Sequence, residues 1–248
     1  MYAEQSFGHD EEVTAARLAA VAGLLADRTR AEICVALFDG RSWTLGELAR
    51  HVGVAPSTAS EHVSRLVAGG FLVSEQHGRH RYIRLADPRI AQVVEDLVGA
   101  GGLPAAPRER SLRAVTAASA MARARTCYDH LAGQLGVAIT DSMIAGGLLD
   151  QACGLAVTEA GADWLAKNHD VDVAAMARSR RPLVRSCLDW TQRRPHLGGA
   201  VGAALCGRYF DQGWISRIGT GRAVAVTPAG QRALGRLYGI GDDGAEPA

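Results

Sequence analysis

Two short stretches of the chain carry the same chemistry-bearing residue types in the same order. Arg125-Thr126-Cys127-Tyr128-Asp129 is followed at once by His130, and Arg185-Ser186-Cys187-Leu188-Asp189 is followed by His196 after a longer interval. Thiolate sulfur and imidazole nitrogen are the ligands of tetrahedral zinc, so Cys127, His130, Cys187 and His196 would supply a Cys2His2 set if the two stretches faced each other. The competing reading makes each Cys a small core residue and each His a donor to a nearby carbonyl, since free cysteines are among the most buried residues. The sequence favours this second reading, and from it no metal and no cofactor is assigned. Together with Tyr128 and Trp190, the four residues are candidates for contact with a small-molecule effector. Cys34, Cys153 and Cys206 read as core.

The elements around these residues recur as well. His130-Leu131-Ala132-Gly133 matches His196-Leu197-Gly198-Gly199, Gly146-Gly147-Leu148-Leu149 matches Gln212-Gly213-Trp214-Ile215, and Ala156-Val157-Thr158-Glu159-Ala160-Gly161 matches Ala225-Val226-Thr227-Pro228-Ala229-Gly230. Each copy reads as a helix, a Gly-bounded turn, short apolar strands and a Thr-capped helix, with Trp190 to Pro195 as extra residues in the second. This half is therefore expected to hold two degenerate winged-helix-like repeats. A cleft at their junction, lined by Tyr128, Trp164, Trp190, Tyr209 and Trp214, is a natural place for a pocket. Arg178 to Arg194 contains six arginines and one carboxylate, Asp189; it reads as a solvated face or as an anion contact. Asp129 and His130, adjacent on an expected helix, would not face each other as a triad needs. Nucleotide loops, nucleophile elbows and zinc-protease runs are missing, so the chain is not expected to be an enzyme.

The first half reads differently. Helical periodicity begins near Asp10 and again at Arg28 to Phe38; Thr44-Leu45-Gly46-Glu47 matches the capping box of a short helix, and Pro56 opens another that runs to Ala68. On that last helix Ala59, Val63, Leu66 and Val67 share one face. Ser57, Thr58, Glu61, Ser64 and Arg65 fall opposite, with Ser60 beside them. Short polar side chains allow a helix to approach the floor of the DNA major groove, where hydroxyls and Arg meet base edges and phosphates. Phe71 to Gln76 and Arg79 to Leu85 read as a hairpin whose Arg79, His80 and Arg81, with Arg84, can neutralise phosphates. Asp87-Pro88 opens a final helix with Ile90, Val93, Val94 and Leu97 on one stripe.

Leu25-Ala26-Asp27-Arg28-Thr29-Arg30, Glu47-Leu48-Ala49, Ser57 to Leu66 and Gly70-Phe71-Leu72-Val73, taken in order, resemble the ArsR/SmtB family of winged helix-turn-helix regulators over about the first hundred residues. The resemblance implies a DNA-binding regulator that dimerises through its first and last helices and reads a near-palindromic operator in double-stranded DNA. It also implies metal ligands that this chain lacks: Trp43 to Val52 has no Cys, and Asp87 to Leu97 has no His.

At 248 residues with a net charge of +1, the chain has room for two domains and exerts no global pull on nucleic acid. The expected division is a flexible N-terminus (1–10), a winged helix-turn-helix domain (11–99), a linker (100–110), a duplicated, effector-sensing domain (111–240) and a flexible tail (241–248). The fold class is mainly α with small β-hairpins. The apolar run Leu197 to Cys206 is too short for a membrane span, and the first ten residues lack a secretory pattern, so a cytoplasmic address is expected. The function that follows is a dimeric repressor released by an effector; the alternative is a DNA-coating or protein-recruiting factor without one.

Overall fold

A computed structural model describes residues 4–39, 41–78, 80–100, 112–152, 154–219 and 221–241. The chain forms two compact units that divide after Val94.

In the first unit, α1 (Glu4–Leu25) and α2 (Arg28–Ala36) precede a 3-10 turn (Leu37–Asp39), β1 (Trp43–Thr44), α3 (Leu45–Val52), α4 (Pro56–Ala68), β2 (Leu72–His77), β3 (His80–Leu85) and α5 (Pro88–Ala100). The helix α1 starts six residues earlier than the periodicity near Asp10 suggested. Asp27 caps α2 by accepting from the Arg30 amide, and that bond holds its carboxyl below the usual range. The capping box is complete: Thr44 Oγ1 accepts from the Glu47 amide, and Glu47 Oε2 accepts from the Thr44 amide at 2.7 Å. Gly53 ends α3 at φ +72°, a left-handed conformation that lets the chain turn into α4.

The hairpin β2–β3 pairs Leu72 with Leu85 through His77 with His80. The two-residue β1, which the sequence did not reveal, adds a third antiparallel strand through Trp43–Ile83 and Thr44–Tyr82. Ile33, Cys34, Leu37, Phe38, Leu48, Ala59, Val63, Leu66, Leu72 and Ile83 are the centre of this unit's core. Burial pushes the Cys34 thiol up to about 12.

The second unit contains α6 (Leu112–Arg123), β4 (Arg125–Cys127), β5 (His130–Ala132), α7 (Gly133–Ala145), β6 (Leu149–Asp150), β7 (Ala156–Val157), α8 (Glu159–His169) and the short α9 (Val173–Ala177). It continues with β8 (Arg185–Leu188), β9 (Pro195–Gly198), α10 (Gly199–Asp211), β10 (Ile215–Arg217), β11 (Val224–Val226) and α11 (Pro228–Tyr238). Its strands form four two-stranded antiparallel hairpins. The Cys–His stretches are therefore strands, where a helix was expected.

Two pairs of residues matched in the sequence, one member from each series, have the same local geometry. Thr158 and Thr227 cap α8 and α11 by accepting from the Gly161 and Gly230 amides at 2.9 and 3.0 Å, and their hydroxyls donate to Gly147 O and Gly213 O at 2.7 Å. A Cβ at Gly161 would lie 2.0 Å from Leu148 O, and one at Gly230 2.0 Å from Trp214 O. One core receives both series: Leu131, Leu135, Ile139 and Met143 from the first, and Leu197, Val201, Leu205 and Tyr209 from the second.

The division within α5 differs from the Gly- and Pro-rich boundary expected near residue 100. Glu95 and Asp96 fall in the second unit. They direct their carboxylates to Arg222 at 3.0 Å and Arg185 at 2.5 Å, both in the second unit. Residues 101–111 and 242–248, which hold most of the expected linker and tail, lie outside the described residues.

Candidate functional site

On α4, Ala59, Val63 and Leu66 are buried while Ser57, Thr58, Glu61, Ser64 and Arg65 are exposed. The polar face is therefore free at the surface of the first unit. Ser60 is half-buried at its flank, because it stands three residues before buried Val63, and its carbonyl accepts from the Ser64 hydroxyl at 2.8 Å. Arg65 reaches Glu61 at 2.6 Å, an i,i+4 pair that holds both side chains on that face. The first turn of α4 has Pro56 and no side-chain cap, so its amides remain available to an external acceptor. His62 sits 3.5 Å from Asp27 at the edge of the buried face.

The wing is less free in its charge than its sequence suggests. Arg84 pairs with Glu75 at 2.7 Å, and half-buried Arg81 donates to the Ser74 hydroxyl. His80 is exposed. Arg79 lies outside the described residues.

In the second unit the two short hairpins bring the four Cys and His residues to one point. Cys127 is the direct cross-strand partner of His130, and Cys187 of His196. All four are buried, and one ligand atom from each lies within 4.8 Å of the other three. The two imidazoles stack with centroids 5.1 Å apart, and the two sulfurs are 3.7 Å apart.

Tight placement couples these groups. A hydrogen bond from Cys127, aided by both imidazoles and opposed by burial, holds the Cys187 thiol far below its ordinary value. Burial above all pushes Cys127 the other way. Burial also opposes charge on His130, but the Asp129 carboxylate and Cys187 outweigh it and raise that imidazole to about 9. Asp129 Oδ1 meets His130 Nδ1 at 3.2 Å, contrary to the helical expectation, since a hairpin turn lets the neighbours bend together. Tyr128 forms that turn at φ 55°.

Charged pairs that span long stretches of sequence shape this region. Buried Asp189 accepts from Arg125 Nη2 at 2.8 Å, from the Gly133 amide at 2.6 Å, and from the Thr191 and Gln192 amides at 2.8 Å. Its ion-pair partner, Arg125, lies outside the 178–194 run. Within that run Arg181, Arg185 and Arg194 are spent on Asp129, Asp96 and Asp141 at 2.7, 2.5 and 2.8 Å, so it is no uniform solvated face. Glu95 Oε2 touches the Cys127 sulfur. No sequence signal marks these pairs, because their partners are dozens of residues apart.

The aromatic cleft expected at the junction of the two series is a packed cluster instead. Tyr209 and Trp214 meet His169 edge-on, Tyr238 stacks on it and Trp164 lies tilted against it, while Trp190 lies elsewhere, with the Arg125 guanidinium 4.7 Å from its ring centre. A half-open cavity bounded by Leu131, Ile139, Leu197, Leu205, Cys206 and Tyr209 holds about 20 Å³, room for a water.

Residues 25–75 match the helix-turn-helix domain family. Over 220 residues the chain is 38% identical to the uncharacterized HTH-type transcriptional regulator YdfF of Bacillus subtilis, covering 88% of this chain and 95% of that protein. Over 87 residues it is 39% identical to the HTH-type transcriptional regulator CmtR of Mycobacterium tuberculosis, covering 35% of this chain and 73% of that one. The NMR structure of the cadmium metal-sensor CmtR from M. tuberculosis aligns with 37% of this chain and 99% of its own, at 35% identity and a TM-score of 0.30. No described helix is long and apolar enough to cross a membrane. With its winged helix-turn-helix unit and a relative matched along nearly its whole length, the chain belongs to the ArsR/SmtB family of DNA-binding transcriptional regulators.

Proposed function

We infer that the protein is a repressor that binds a near-palindromic operator in double-stranded DNA as a homodimer and is released by an effector sensed in its second unit. The observation that carries this reading is α4: a buried apolar stripe backs an exposed face of Ser57, Thr58, Glu61, Ser64 and Arg65, ahead of a wing that bears His80 and Arg81. On this reading α4 enters the major groove, its uncapped first turn meets a phosphate, and the wing, with Arg79, grips the adjacent backbone. The recurring order of hairpin, helix, hairpin and Thr-capped helix supports an origin of the second unit in duplication of a winged-helix-like module. Cys127, Tyr128, His130, Cys187, Trp190 and His196 are its candidate effector contacts. No catalytic residue is assigned, in keeping with relatives that are transcriptional regulators.

The test is operator binding across a salt series. Arg81→Ala should weaken binding to all sequences and lower the salt slope by about one counterion, whereas Ser57→Ala with Thr58→Ala should change preference among operators. Wild-type affinity and salt slope in the Arg81 variant, together with unchanged preference in the helix variant, would remove this docking.

A further inference from the structure

Two hairpins each deliver one cross-strand Cys–His pair to the same buried point, and burial of small thiols explains only half of that arrangement. Core packing accounts for Cys127 and Cys187, which lie against Ala132. It does not account for the imidazoles. A buried polar nitrogen without a hydrogen bond costs about 1–3 kcal/mol, yet Nε2 of His130 and both ring nitrogens of His196 are buried with no nitrogen or oxygen partner, and what the two imidazoles face is the Cys187 sulfur. Neither His donates to a carbonyl from there, as a structural histidine would. These nitrogens belong to the two side chains whose ligand atoms lie within 4.8 Å of both sulfurs.

The surroundings orient one of these donors. Asp129 engages His130 Nδ1 and is itself held by Arg181 at 2.7 Å. A carboxylate on one ring nitrogen fixes the proton there and turns the lone pair of the other toward a metal. In His130 that other nitrogen is Nε2, whose approach is kept open by Gly198: a Cβ at this position would stand 3.2 Å from it.

We propose that Cys127, His130, Cys187 and His196 bind one thiophilic divalent d10 cation of the zinc and cadmium class in a closed, four-coordinate site. Two sulfurs and two imidazoles are a donor set for tetrahedral zinc, and two thiolates cancel the charge of a dication, so the complex is neutral where it is buried. Coordination displaces the proton of each coordinating thiol to solvent. Four protein ligands leave no position for a substrate, so the site holds its ion for structure or for sensing. The cation joins the hairpins β4–β5 and β8–β9, whose elements are more than fifty residues apart in the chain. This assignment stands whether or not the protein is a repressor, since binding is measured without DNA.

The experiment uses the full chain, reduced and freed of metal by a chelator, titrated with Co²⁺ and then Zn²⁺. One Co²⁺ per chain is expected, with thiolate-to-cobalt charge-transfer absorption and the strong visible bands of a tetrahedral ion, all lost when one equivalent of Zn²⁺ displaces it. X-ray absorption of the zinc form should show two sulfurs near ~2.3 Å and two nitrogens near ~2.0 Å. That measurement needs no variant and stands even if a substitution prevents folding. Cys127→Ser and Cys187→Ser should each abolish the charge-transfer band, and Cys34→Ser should keep it. Sub-stoichiometric binding, a shell of oxygen and nitrogen only, or a metal-free protein that forms a Cys127–Cys187 disulfide in place of metal uptake would each overturn the assignment.

Discussion

At the scale of single residues, burial sets what His169 can do. Its Nε2 meets the Tyr238 hydroxyl at 2.9 Å, Tyr209, Trp164 and Trp214 pack around the ring, and the nearby Arg208 guanidinium is paired with Asp170. Burial, and after it the Arg208 charge, lowers the imidazole to about 4. An unfolded histidine titrates near ~6.5, so between the two values the unfolded chain holds the extra proton. His169 therefore contributes stability that is complete above its unfolded value and is lost as pH falls toward 4. Thermal unfolding of the wild type and of His169→Gln, compared from pH 7 to pH 4, should show the wild type losing more. Parallel pH curves would show that His169 does not titrate in this way.

Elements are held in place by close approaches that a glycine or one carboxylate makes possible. Gly133 and Gly199 open α7 and α10 at φ +77° and +83°, and a Cβ on either would lie 2.7 or 2.9 Å from a backbone carbonyl oxygen. Gly147 has φ +67° with open space around it. Gly147→Ala should thus cost only the backbone strain of about 1–2 kcal/mol, and Gly133→Ala and Gly199→Ala clearly more in denaturant titration. Equal losses at the three sites would show that the packing there yields. Asp189 is the other fastener: it joins the loop after β8 to Arg125 and to the start of α7, and both members of that ion pair are 1% exposed or less. Asp189→Ala leaves the guanidinium buried without its counter-charge and should cost about 3–5 kcal/mol, read as a fall in the urea midpoint. A loss below ~1 kcal/mol would mean that water replaces the carboxylate.

For the molecule as a whole, the surface apolar residues bear on assembly. Leu18 on α1 and Val93, Leu97 and Val98 on α5 are 69%, 43%, 53% and 48% exposed, whereas Val94 is 4% exposed and belongs to the core. A seam of these two helices therefore uses Leu97 and not Val94, although both lie on the stripe read from sequence. Leu97→Glu should give folded monomers with weakened operator binding, while Val94→Glu should lower the melting temperature. Sedimentation with circular dichroism separates the two, and a wild type that sediments as a monomer at micromolar concentration would remove this seam.

What the sequence determined by itself was local or periodic. The capping box of α3, the stripe of Ala59, Val63 and Leu66, and the hairpin beginning near Phe71 all depend on residues within a few positions of one another, and such signals survive without the fold. The two Cys–His stretches and the Thr caps of α8 and α11 were legible for the same reason, as repeated words. The tertiary structure alone decided which of these meet. The two-residue β1 has too few positions to show a period, and it exists because β3 offers it a ladder. Cys127 and His130 read as helical until the cross-strand pairing placed their side chains side by side. Asp189 with Arg125 and Glu95 with Arg222 are 64 and 127 residues apart. Pairings of that reach are set by which faces pack, and packing closed the aromatic cleft that the spacing of Trp164, Tyr209 and Trp214 had suggested.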